Sequence, residues 1–270
     1  MEASVILGNS MHKTSYGFSL VELSIVLAVI GLLVGGVLSA QSLIRSAEIR
    51  NTVGELSRYQ DAYGNFRKKY QSVPGDMSDA TSIWEIRAGS TGNDDSCRRA
   101  PGIYTGTCNG NGDNMIDETG GNNLNTVFER YLFWQHLALS GMIDGRFTGA
   151  TADSSPLTRA VGFNLPKSAL GNNNGLEPVW LSGSISSNPQ FFDGSYNVNV
   201  LVFTNNGLTP EEAWSIDTKI DDGVPATGAV FSLKASSTWS PNCTTSDVVA
   251  TAQYNLTLKS KACNVWMELQ

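Results

Sequence analysis

The chain has 270 residues, enough for one large domain or two small ones around a sizeable buried core. Its 18 basic and 25 acidic residues leave a net charge of −7, which speaks against broad nucleic-acid affinity driven by clustered Lys and Arg. Four cysteines and only two histidines, His12 and His136, present no zinc-ligand spacing.

The first element in chain order is the apolar run LSIVLAVIGLLVGGVLSA, from Leu23 to Ala40, in which serine is the only polar type. As a helix it spans about 27 Å, close to the thickness of a bilayer core. Glu22 stands at its start, where a carboxylate is costly. A cleavable secretory signal would explain the run, with VLSAQ as its cutting site. Against that stand a thin basic flank (Lys13), the length of the run, and Glu22 itself. A plain anchor leaves Glu22 unexplained. Lys13 precedes the run while Arg45 and Arg50 follow it, so the positive-inside rule sets no clear orientation.

Beyond Ala40, apolar or aromatic residues recur at Ile49, Val53, Leu56, Tyr59, Tyr63, Phe66 and Tyr70, with charged residues between them. Gaps of three and four define one helical face, and no proline interrupts it before Pro74. One helix from Phe18 to about Tyr70 is expected, roughly 80 Å long. Residues 18–44 would form its membrane half, 45–72 an amphipathic spine, and 73–270 a globular head.

In the head, MSDATSIWEIRAG is a short helix or loop, and residues 90–125 form a long Gly/Asn-rich loop. A helix is expected near 126–140, opened by a Thr126/Glu129 capping box, stopped by Gly141, and burying Phe128, Leu132 and Leu139. Strand candidates are EPVWLSGSI, SYNVNVLVF, TGAVFSLK, AQYNLTLK and CNVWMEL. Between them lies a helix with Thr209 as N-cap, Pro210 at its first position, Glu212 closing a capping box and Gly223 as terminator. The expected class is α+β, a mostly antiparallel sheet packed on the C-terminal half of the long helix.

An even cysteine count behind an export segment favours disulfides and an oxidising compartment, which would place the head outside the cytoplasm. Of the three connectivities, the sequence-local pairs Cys97–Cys108 and Cys243–Cys263 are expected, with free buried thiols as the alternative. Asn109, Asn111, Asp113, Met115 and Asp117 alternate as calcium-loop ligands do, although Asn114 stands where a turn glycine is usual and Gly120 where a bidentate Glu is. An Asx-rich turn explains the same residues without Ca²⁺. Asp217, Asp221 and Asp222 make a second, weaker acidic candidate, otherwise a solvated helix end. His136 has no partner at metal spacing and reads as a core or surface histidine. Arg98-Arg99 is the one basic doublet of the long loop, thin support for DNA capture, and Asn242 and Asn255 fit the glycosylation pattern. No nucleophile elbow, P-loop or dinucleotide-binding loop occurs, and no enzyme is expected.

Gly17-Phe18-Ser19-Leu20-Val21-Glu22-Leu23, with the apolar run and its amphipathic continuation, resembles the processing site of type IV pilins and type II secretion pseudopilins. The resemblance covers about residues 11–76. It implies that prepilin peptidase cuts between Gly17 and Phe18, that Phe18 becomes N-methylated, and that Glu22 is the fifth residue of the processed chain. A pilin fold is implied as well, often with a disulfide closing a C-terminal loop. The leader would be residues 1–17, or the short MHKTSYG if translation starts at Met11. Many pilins carry a proline about twenty residues into the mature helix, whereas this chain has Ser39, and Gly35-Gly36 are the substitute weak point. The implied protein is a structural subunit, minor or unusually large, of a pilus-like or secretion fibre. It would cross the bacterial inner membrane once with its head in the periplasm, then join other subunits in a periplasmic or cell-surface fibre. There Glu22 would neutralise the new amine on Phe18 of a neighbour. The competing readings are a membrane-tethered periplasmic enzyme or binding protein, and a minor pilin that binds DNA or a surface.

Overall fold

The computed structural model describes residues 17, 19–93, 97, 106–116, 129–150, 159–171, 174–181, 190–192 and 197–270. It divides into two units, Met1–Ser46 and Ala47–Gln270. Helix α1, Leu20–Tyr70, supplies the regular structure of the first unit's described residues and the first element of the second. Its start at Leu20 places Ser19, not Phe18, at the boundary; Phe18 itself lies outside the described residues.

In the second unit the stripe on α1 is buried as its spacing requires. Ile49, Leu56, Tyr59, Tyr63 and Phe66 enter the main core, with Val53 and Tyr70 half-buried beside it. Helix α2 is the single turn Ala80–Ile83, and α3 runs Glu129–Leu139. The α3 aromatics meet α1 directly: Tyr59 is edge-on to Trp134 at 4.8 Å, and Tyr63 stacks on Phe133 at 6.2 Å. Helix α3 ends in the pattern that a left-handed glycine permits. Gly141 has φ 73°, its N–H donates to Ala138 O, and the Met142 N–H donates to Leu137 O. Leu132 is buried, but Leu139, in the last turn, is only half-buried; Thr126 and Phe128 fall outside the described residues.

Strands β1 (Leu176–Leu181), β2 (Val198–Phe203), β3 (Val230–Phe231) and β4 (Trp266–Glu268) form an antiparallel sheet in the order β1-β2-β4-β3. Strand alternation separates two sets of side chains. Leu176, Leu201, Phe203, Val230 and Met267 join α1 and α3 in the main core. Leu181, Val200, Val202, Phe231 and Trp266 build a second cluster with Phe191 and Leu233 on the other face. Helix α4, Pro210–Ile220, carries the expected capping box: the Glu212 N–H donates to Thr209 Oγ1 and the Thr209 N–H to Glu212 Oε2.

The expected strand AQYNLTLK is not one. Tyr254 makes only an isolated bridge with Thr244, and the chain turns immediately after it, with the Leu258 N–H donating to Asn255 O at 3.0 Å. The Asn255 side chain takes the Thr257 hydroxyl at 2.6 Å, the local competition through which Asn interrupts a ladder.

Candidate functional site

The first unit presents a helix of unusual surface. From Leu20 to Ile44 its large apolar side chains are exposed, Leu20 to 84% and Leu32 to 79%. By length and composition this is a helix able to cross a membrane, with a window of mean hydropathy 2.5 of which nothing is buried within the chain. The hydroxyls along it are satisfied by the helix itself: Ser24 donates to Val21 O, Ser39 to Gly35 O and Ser42 to Ser39 O. Such back-bonding lets these hydroxyls sit in an apolar surround without an outside partner.

At the head of this helix, Glu22 is already engaged. Its Oε2 accepts the Ser19 N–H at 2.8 Å, while Ser19 Oγ accepts the Glu22 N–H at 3.2 Å. The pair is a reciprocal capping box, S-x-x-E, and it satisfies donors that a helix start would leave open. The negative group also sits at the positive end of the helix dipole. Sequence reasoning gave Glu22 a partner only in a neighbouring subunit; the serine three residues earlier was the signal for its local role. Gly17, two residues before the cap, lies outside the helix, is exposed and has open space around it.

In the second unit, the described side chains of the expected calcium loop are engaged by backbone N–H groups. Asn109 Oδ1 accepts the Thr81 N–H at 2.9 Å. Asn111 Oδ1 accepts the Asp113 N–H, and Asp113 Oδ1 the Met115 N–H, each at 2.9 Å; these are successive Asx turns. Asp117 lies outside the described residues. The loop is gathered instead by Asp76, which sequence reasoning missed. Its carboxylate accepts the N–H groups of Gly112 (2.6 Å), Asp113 (3.1 Å) and Asn114 (2.7 Å). Asn114 takes φ 68°, a left-handed conformation that Asn tolerates, so no glycine is needed there. Burial, with the Asp113 charge as a lesser contributor, pushes the Asp76 carboxyl up to about 6 against the pull of those N–H donors.

Oxygens of Asp76, Asp113 and Glu129 lie within 4.8 Å of one another, a donor set of the kind a hard cation takes. Protein groups already use them: the Asn111 N–H donates to Glu129 Oε1 at 2.9 Å and Asn111 Nδ2 to Asp113 Oδ2 at 3.0 Å. A cation would have to share these oxygens.

The second acidic candidate does come together, within the same 4.8 Å limit. Each carboxylate there holds the turn after α4. Asp217 accepts the Gly223 N–H (2.9 Å) and the Tyr254 hydroxyl (2.8 Å). Asp221 Oδ2 accepts the Ala229 N–H at 2.5 Å, and Asp222 accepts from Val224 N–H and the Thr227 hydroxyl. Burial pushes the Asp217 carboxyl up to about 6, and the Tyr254 hydroxyl is raised by burial and by that carboxylate.

His136 is a core histidine. Its Nδ1 accepts the Gly75 N–H at 3.0 Å, so Nε2 carries the proton of the neutral ring and donates to Thr107 Oγ1 at 3.0 Å. Complete burial, helped by the Arg87 charge, drives its pKa down to about 3. Arg87 is itself buried, donating to the carbonyls of Cys97 and Thr148 and to Gln135 Oε1. Both disulfides are present, Cys97–Cys108 and Cys243–Cys263. Arg98 and Arg99 lie outside the described residues.

The chain carries the prokaryotic N-terminal methylation motif over residues 12–38, the hallmark of type IV pilin and pseudopilin precursors. The match covers Gly17, Glu22 and most of the apolar run. No curated protein and no solved structure matches the chain.

Proposed function

We propose that this protein is the precursor of a structural fibre subunit, cut by prepilin peptidase between Gly17 and Phe18 and assembled through the exposed apolar half of α1. The observation that carries this reading is the methylation motif coinciding with that helix: the motif residues 12–38 overlap a surface that the chain itself leaves uncovered. Apolar side chains of that density are stable in lipid or against identical helices, and unstable in water. Before assembly the helix anchors the chain in the inner membrane. The two disulfides favour an oxidising compartment for the second unit, hence a periplasmic head.

In the fibre, the amine that processing creates on Phe18 and the carboxylate of Glu22 pair between neighbouring subunits, since each charge alone would be expensive in an apolar core. The site does the work of a structural polymer and needs no catalysis. The test is co-expression of the full chain with prepilin peptidase and mass analysis of the product. Loss of residues 1–17 is expected in the native chain and not in Gly17→Ala. A native chain that keeps its full length, or a Glu22→Ala chain that polymerises normally, would overturn the reading.

A further inference from the structure

Among the described residues, the face of the sheet turned away from α1 is not closed. A cleft of about 570 Å³ opens there, floored by Val179 of β1, Val202 of β2 and Trp266 of β4. That volume is within the range of small-molecule sites, roughly 300–1,000 Å³.

One wall is charged. Glu177, buried, accepts Arg130 Nη1 at 2.6 Å and Arg159 Nε at 2.7 Å. One carboxylate between two guanidinium groups leaves a surplus positive charge beside the cleft. Arg159 is the accessible member, its side chain 49% exposed, and it meets Glu177 through Nε. Its terminal Nη edge is a planar two-donor fork of the kind suited to a second carboxylate.

The other wall is aromatic. Trp239 is 50% exposed yet held in place, its ring edge-on to Phe191 at 6.0 Å and its carbonyl accepting Asn206 Nδ2. Trp266 is buried, and its indole N–H has no acceptor among the described residues, a donor left at some cost. Thr204, Asn205 and Asn264 complete the rim.

We propose that this cleft binds an acidic saccharide, a pyranose ring carrying a carboxylate. The ring's C–H face would lie on Trp239, its carboxylate on the Arg159 fork, and its hydroxyls among the rim amides. A purely apolar ligand would bury the guanidinium edge unpaired, and a neutral sugar would leave the surplus charge unmatched. A nucleic-acid strand needs several phosphate contacts, whereas the cleft offers one surplus cation on a chain of net charge −7. The inference goes beyond the fibre reading and does not depend on it, because the cleft lies wholly in the second unit.

The experiment is calorimetric titration of the full-length chain in detergent micelles with digalacturonic acid, and with the neutral disaccharide galactobiose. Saturable binding of the acid is expected, with the neutral sugar at least about tenfold weaker. Arg159→Gln and Trp239→Ala should each weaken the acid by a similar factor in chains that still melt cooperatively above the titration temperature. Arg159→Lys, which keeps the charge and loses the fork, should fall between. No saturable heat with the acid, equal affinity for the two sugars, or undiminished binding in Arg159→Gln would each overturn the proposal. A chain that fails N-terminal processing but binds the acid would sink the fibre reading alone.

Discussion

The His136 ring accepts the Gly75 N–H through Nδ1 at 3.0 Å, and this bond makes the histidine a neutral structural member of the core. Its folded pKa, about 3, lies below the ordinary 6.5. The unfolded chain therefore binds a proton that the folded one refuses as pH falls below 6.5. Stability contributed by the neutral ring is complete above that value and is lost as pH drops toward 3, about 2 kcal/mol of it by pH 5. Asp76 and Asp217 act in the opposite sense, since their raised values near 6 let the folded state take up protons first between pH 6 and 3.8. The readout must therefore be a difference. His136→Asn keeps an acceptor for Gly75, loses the bond to Thr107, and should be destabilised at pH 7.5. The gap in melting temperature between native and variant should narrow from pH 7.5 to 5; a constant gap would refute the assignment.

Arg87 ties three separate segments through one guanidinium, with no carboxylate partner among the described residues. Burial lowers its pKa to about 10, so it stays charged at neutrality. In Arg87→Met the Cys97 carbonyl loses its guanidinium donor and the Thr148 carbonyl keeps only Gln135 Nε2, in a dry interior. The expected loss is about 3 kcal/mol, read from urea denaturation followed by tryptophan fluorescence. Gly149→Ala should be costly for a related reason: its Cβ would fall 2.3 Å from Gln135 Oε1 at a φ of 62°. Native-like midpoints in both variants would mean that this network contributes little.

These networks also mark where sequence reasoning stops. The α1 stripe, the Thr209 capping box and the two disulfides were legible because each is written in local spacing. Arg87 to Gln135, Arg130 to Glu177 and Asp76 to Gly112 join residues 48, 47 and 36 positions apart, and nothing in a single sequence announces such pairs. The second core on the outer face of the sheet was hidden for the same reason. AQYNLTLK misled because its alternation suits a strand, while the turn at Asn255 decides otherwise. Ser19 and Glu22 are the reverse case: the S-x-x-E capping signal is local and stands directly before the apolar run it opens.

The Cys243–Cys263 bond fastens the segment after β3 to the one that leads into β4. The Cys263 N–H donates to Leu208 O at 2.9 Å, one residue ahead of the Thr209 cap, and both sulfurs are buried. Closing a loop with a sequence separation of 20 is worth about 3 kcal/mol on the chain-entropy estimate. The double variant Cys243→Ser, Cys263→Ser should then melt roughly 6–12 °C lower, the shift expected for a unit of this size. A shift below that range would place the stabilisation in the surrounding core instead.

Glu22 combines two roles that a single substitution can separate. Its carboxylate closes the helix cap with Ser19, and in the proposed fibre its charge meets a neighbour's amine. Gln at the same position can still accept the Ser19 N–H, so Glu22→Gln removes the charge and keeps the cap. Ser19→Ala does the reverse, costing about 1 kcal/mol of helix start while leaving the carboxylate in place. In micelles, amide exchange at residues 19–23 should stay slow in Glu22→Gln and quicken in Ser19→Ala. Fibre yield should collapse in Glu22→Gln and fall only modestly in Ser19→Ala. If Glu22→Gln polymerises as the native chain does, the cap is the reason for the glutamate, and the ion pair is not.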